Sequence, residues 1–145
     1  MPSRTSEEHH PPSGSLAIQA LVSVNGIPFG APQDGLYRLL GEPDQVQQNY
    51  TGEFEIAYGN TIYRCLGGRL VECTFPDRGR ISVNGVEILS AFHWLGSLKD
   101  VLDIARFRVC PSYGIAYDYR DPQQGSITVF ERGRWDTLLA DARRH

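Results

Sequence analysis

The interior of the chain carries one histidine on which catalysis could be built. His93, in Phe92-His93-Trp94-Leu95, is the side chain a Ser/His or Cys/His pair would have to use. No nucleophile signature such as Gly-x-Ser-x-Gly surrounds it, so it reads as a packing or capping residue. Cys65 and Cys73 fall on neighbouring strands of one hairpin and Cys110 lies far off in sequence. None forms a Cys-x-x-Cys pair, and all three read as small buried thiols, not zinc ligands. Carboxylates are close in sequence at Glu53/Glu55 and at Asp118/Asp121. Acid–base catalysis needs such groups in a cleft; on an open strand face they read as solvated charges. Tyr113, Tyr117 and Tyr119 could stack nucleic-acid bases, but little positive charge accompanies them and core packing is the expected role. Gly67-Gly68-Arg69 and Gly41-Glu42-Pro43-Asp44 read as turns, because neither has a phosphate-cradling pattern. These residues predict no enzyme, no metal site and no cofactor, and leave binding as the expected activity.

Composition narrows the partner. The 145 residues suit one domain with a real core. A formal charge of −3 argues against nucleic acid, whose binders usually carry a basic stripe. No apolar run approaches the ~20 residues of a membrane span, and none near the N-terminus makes a signal peptide. Residues 1–15, with His9 and His10, read as a flexible polar lead. Three cysteines without a secretion signal predict free thiols and a cytoplasmic location.

The elements that would position a binding surface come in two similar halves, within a domain over 16–145 divided at about residue 80. Ser-Val-Asn-Gly occurs at residues 23–26 and again at 82–85. Repetition at this scale predicts one body built twice from the same unit. Asn-Gly tolerates the positive φ angles of a tight turn. In the first half a strand over 16–24 precedes a helix over 32–40, with strands at 45–50, 53–58, 61–66 and 70–75. In the second, a strand over 81–89 precedes a helix over 97–105. There Ser97 would be the N-cap, Asp100 would complete a capping box, and Leu98, Val101, Leu102 and Ala105 would form the buried stripe. Strands at 107–109, 113–120 and 126–132 follow, then a short helix from Asp136 to about residue 144. The expected fold is α+β: two tandem β-α-β-β-β units, mostly antiparallel sheet, with the helices packed on one face. Leu36, Leu39, Leu40, Leu98, Val101 and Leu102 would then pack on Phe54, Ile56, Ile115 and Tyr117.

Side chains two apart on a strand share a face. The face opposite the helices should therefore carry Glu53, Glu55, Arg64, Glu72, Asp118, Arg120 and Thr128, which we take as the candidate protein-binding residues.

The run Leu39-Leu-Gly-Glu-Pro-Asp44, a helix ending into strands, resembles the small α/β unit of BamE-like outer-membrane assembly lipoproteins. It also resembles the related tandem-repeat fold of β-lactamase inhibitor proteins. The stretch from Ile127 to Trp135 is similar to the closing segment of small immunity proteins of bacterial toxin systems. There is no lipoprotein cysteine, so the outer-membrane role does not carry over. The resemblance implies a soluble inhibitor of another protein: an immunity protein whose partner is a cognate toxin, basic if the acidic surface steers it. A small enzyme using His93 and a secretion chaperone or adaptor are the alternatives. Oligomeric state is left open.

Overall fold

The structure, a computed structural model, describes residues 15–77, 80–119 and 125–143. The first half runs β1 (Ser15–Gln19), β2 (Ser23–Val24), β3 (Ile27–Pro28), α1 (Gln33–Leu40), β4 (Gln45–Gln48), β5 (Phe54–Tyr58), β6 (Thr61–Leu66) and β7 (Arg69–Pro76). The second runs β8 (Arg80–Val83), β9 (Val86–Ile88), α2 (Ala91–Gly96), β10 (Leu102–Ile104), β11 (Phe107–Cys110), β12 (Ile115–Asp118), β13 (Ser126–Phe130) and α3 (Asp136–Arg143). The fold is α+β, with mostly antiparallel strands in two sheets and few helices.

Each copy of the repeated tetrapeptide makes the same turn. Asn25 and Asn84 both sit at φ 52°, followed by Gly26 at 80° and Gly85 at 83°. Two consecutive left-handed residues are what a two-residue hairpin needs, and Asn-Gly reaches them at least cost. The turns close β2–β3 and β8–β9, which lie on opposite sides of β1 in the five-stranded order β3-β2-β1-β8-β9. β1 pairs antiparallel with β2 and parallel with β8. Both asparagines clamp β1. The Asn25 amide donates to Ala17 O at 2.7 Å and its Oδ1 accepts from Ala17 N at 2.9 Å. The Asn84 amide donates to Ile18 O at 2.8 Å and its Oδ1 accepts from Ala20 N at 2.9 Å. The repeat thus holds one strand from both edges.

The second sheet is antiparallel throughout, in the order β10-β11-β12-β13-β7-β6-β5-β4. Two four-stranded meanders meet at β7 and β13, in register from Ser126↔Pro76 to Phe130↔Glu72. One face of this sheet shares a core with the small sheet and two helices. Ile56, Cys73, Ile115 and Val129 pack with Ile18, Val24, Ile81 and Val83, with Leu36 of α1 and with Leu95 of α2. A second, smaller core lies on the opposite face, where Val109, Ala116 and Phe130 meet Leu139 of α3, joined by Trp135 and Phe107. Strands β12 and β13 are therefore covered on both sides, and Ile127 through Phe130 are all buried. Gly114 marks a close approach between the sheets: a Cβ there would lie 2.6 Å from Leu21 Cδ2 and from Phe130 O.

Several expectations are corrected. The second helix spans Ala91–Gly96, with Ser90 as N-cap accepting from His93 N, and Ser97 is its C-cap. The apolar stripe over 97–105 is not helical: Leu102–Ile104 pairs with β11 as an edge strand, so Leu98, Val101 and Leu102 are partly buried without forming a helix face. Asp100, far from capping, accepts from Ser112 N at 3.1 Å and Ser112 Oγ at 2.9 Å. Backbone pairing won over helical period because β11 offers a ladder that a helix would leave open. The strand expected over 16–24 is broken by a turn with Leu21 at φ 63°. Leu39 is 38% exposed and outside the core. The helices do not all share one face, since α3 covers the side opposite α1 and α2.

Asn84→Ala loses both the clamp on Ala20 and the tolerance of the left-handed turn. Urea denaturation should show a loss of about 1–2 kcal/mol. Leu95→Ala, at a fully buried position, should cost about 2–5 kcal/mol, whereas Leu39→Ala should cost less than about 1 kcal/mol.

Candidate functional site

The strand phases bring most of the candidate binding residues together. Glu55 of β5 stands opposite Arg64 of β6, and Arg64 opposite Glu72 of β7. Long charged side chains side by side on one face pair across the strands. Arg64 Nε donates to Glu55 Oε2 at 3.1 Å, and its Nη1 donates to Glu72 Oε2 at 3.0 Å and to Thr74 Oγ1 at 2.6 Å. Thr74 and Thr128 share a hydrogen bond of 2.9 Å across the β7–β13 seam. Gln47 of β4 donates to Glu55 Oε1 at 3.1 Å, and Asn49 to Glu53 Oε1 at 3.1 Å.

Two further members come from the chain after β13. Arg134 donates to Glu53 Oε2, and its Nε to Glu72 Oε1 at 3.3 Å. Trp135 Nε1 donates to Glu72 Oε1 at 2.8 Å while its ring stacks on Phe130 at 5.0 Å and 11°. Glu72 is the hub: each carboxylate oxygen has a partner, so a charge that is only 7% exposed is compensated. No buried side-chain nitrogen or oxygen lacks a partner among the described residues.

Of the candidate residues, Glu53, Glu55, Arg64, Glu72 and Thr128 belong to this network. Glu72 and Thr128 are buried beneath it and are not an open surface as expected. Asp118 lies on the same face of the sheet, further along, with Arg106 Nε 3.2 Å from its Oδ2. Arg120 lies outside the described residues. Strand phase alone did not single out Arg134 and Trp135, which follow the last strand in an Arg-Gly-Arg-Trp turn. Their signal was an arginine and a tryptophan at the point where a chain leaving the sheet must fold back.

The Glu55 carboxyl is held below the ordinary glutamate range, first by the Gln47 hydrogen bond and then, against the upward push of burial, by Arg64. Arg134 is raised: burial pulls it down, but Glu72 and Glu53 beside it prevail.

The other chemistry-bearing side chains are occupied structurally. Burial pushes the Cys65 thiol up to about 11 and Cys73 well above its usual value. Burial also raises Cys110, which donates to Asp100 Oδ1 at 3.0 Å. All three thiols are free and buried. His93 is exposed on α2, its ring 5.7 Å from Phe92. Phe92 in turn carries the Arg108 guanidinium at 4.0 Å and meets Tyr117 and Tyr119. Burial, and then a hydrogen bond to Asp77, pushes the Tyr117 phenol up to about 12. Among the described residues no three His, Cys, Asp or Glu side chains gather to hold a metal ion, and no helix is long and apolar enough to cross a membrane. Compared with protein-family models, curated proteins and solved structures, the chain has no significant match.

Glu72→Ala would leave Arg64 with Glu55 and Arg134 with Glu53, but Trp135 Nε1 without its acceptor. Chemical denaturation should show a loss of about 1–3 kcal/mol, with Glu72→Gln losing less. Acid should open the same region. Because the Glu55 pKa is depressed in the fold, its contribution is complete above the ordinary glutamate value of about 4.3 and fades as pH falls through the lower folded value. Trp135 fluorescence in a Trp94→Phe background should report that loosening below about pH 4. The Glu55→Gln variant should show a smaller acid-dependent part.

Proposed function

We propose that this chain is a protein-binding inhibitor, in its most concrete form a cytoplasmic immunity protein that neutralises a cognate bacterial toxin. The observation that carries the reading is the acidic network on the first meander. Glu53, Glu55 and Glu72 outnumber Arg64 and Arg134, and hydrogen bonds hold these groups in one arrangement. A charge pattern ordered in advance loses little entropy when a partner docks, and an acidic one favours a basic partner. Glu55 remains partly accessible, 22% by side chain, so the network reaches solvent at the β4–β5 end. No comparable observation favours an enzyme using His93 or a secretion adaptor.

The architecture supports a finer reading. Both halves run from an Asn-Gly hairpin through a short helix into a four-stranded meander, and the meanders meet by their last strands. We read them as two copies of one unit, β-β-α-β-β-β-β, two strands longer than the β-α-β-β-β expected at the start, with β1 as an additional strand of the first half. The third helix, outside the repeat, then covers one copy and leaves the face of the other for a partner.

Affinity purification from the native host should yield one stoichiometric basic protein. With that protein, the double variant Glu55→Lys/Asp118→Lys should associate about tenfold or more slowly at low salt and show a weaker salt dependence. Unchanged rates with the fold intact by circular dichroism would move the interface to the loops or helices.

A further inference from the structure

Among the described residues the two sheets have four edge strands, and they are not equally protected. β3 is two residues long and ends in Pro28; β9 is three residues long and carries Glu87. β10, also three residues, carries Asp103 in an ion pair with Arg108 at 2.9 Å. Proline, charge and shortness are the usual means of keeping an edge from pairing with another chain. β4 has neither proline nor charge within it. It is Gln-Val-Gln-Gln, the longest of the four edges, and every residue is exposed.

Its hydrogen-bonding phase is legible. Asn49 N donates to Glu53 O at 2.9 Å, so Asn49 bonds inward to β5. Backbone groups of an antiparallel strand alternate in direction, so Gln47 and Gln45 also bond inward, while Val46 and Gln48 direct N–H and C=O outward. We propose that β4 is a strand-addition site whose occupant is a second copy of this chain, paired antiparallel about a two-fold axis at Gln47. Val46 of one copy then stands opposite Gln48 of the other, twice, and the four outward groups of each strand are satisfied. The axis brings two Gln47 side chains together. Each amide donates to Glu55 and accepts from Gln45 within its own chain, and keeps one N–H and one lone pair for its mate.

The strand itself is neutral, which suits self-pairing, and the nearest like charges on that face are remote. The two Glu55 carboxylates would be three strand spacings apart, about 14 Å, beyond the ~8 Å screening length of physiological salt. Four residues a side make a small interface, so the dimer is weak.

Sedimentation velocity of the full chain from about 10 μM to about 1 mM tests this. Concentration-dependent dimerisation is expected. Gln48→Pro removes one outward N–H per copy at an edge position where proline is tolerated, and should weaken the dimer about tenfold or more. A chain monomeric at about 1 mM, or a Gln48→Pro dimer as strong as the parent, would overturn the proposal. Gln47→Lys guards against a misfolded proline variant. It sets two lysines across the axis and should abolish dimerisation, and mixing it with Gln47→Glu should restore it. Failure of the mixture to associate, or undiminished self-association of Gln47→Lys, would also overturn it.

Discussion

The pairing of β7 with β13 is the contact on which the rest depends. Each of these strands closes a four-stranded meander, and only their five-residue register makes the two meanders one sheet. The seam lies where both faces are covered. On one side Cys73, Phe75, Ile127 and Val129 enter the main core; on the other Thr74 and Thr128 share a hydrogen bond and Phe130 carries Trp135. Without it, each meander would expose an edge flanked by buried apolar side chains, which strands in water do not sustain.

Glu72 lies at one end of this seam, opposite Phe130. A carboxylate there must find partners or destabilise the sheet, and it finds them from two directions: Arg64 from β6, and Arg134 with Trp135 from the segment after β13. A buried ion pair is seldom a large net gain in stability, because desolvation offsets the attraction. Its effect here is positional. Arg134 and Trp135, anchored on Glu72, hold the turn of the chain after the last strand, from which α3 runs over the second core.

That arrangement divides the polar side of the sheet into two regions of different character. Over β11–β13 it is apolar and covered; over β4–β6 it remains polar, acidic and partly open. The proposed inhibitory role and the proposed strand addition both concern the second region. The first uses the face and the second uses the edge.

Features decided within a few residues were legible in the sequence. The Asn-Gly turns follow from local sterics, which allow positive φ to few residue types; Asn25-Gly26 turns as expected, whereas Asn84-Gly85 splits the strand expected over 81–89 into the β8–β9 hairpin. The alternation of Glu53, Phe54, Glu55, Ile56 separated a polar from an apolar face, because successive side chains on a strand must point apart. It thereby placed Glu53 and Glu55 on one side, which Arg64 and Glu72 join through the register of β6 and β7, and Thr128 through that of β13. Features decided between distant segments were not legible. The residues 98–105 have a helical apolar period, yet Leu102–Ile104 pairs with β11, because a ladder along an existing strand outweighs the propensity of a short helix. The strand β1 accepts β8 in parallel, a partner more than sixty residues away that no local pattern announces. Whether the polar face was open depended on where Arg134 and Trp135 fold back. Burial is a property of what packs on top, and only the tertiary structure brings residues 53, 72 and 135 within reach of one another.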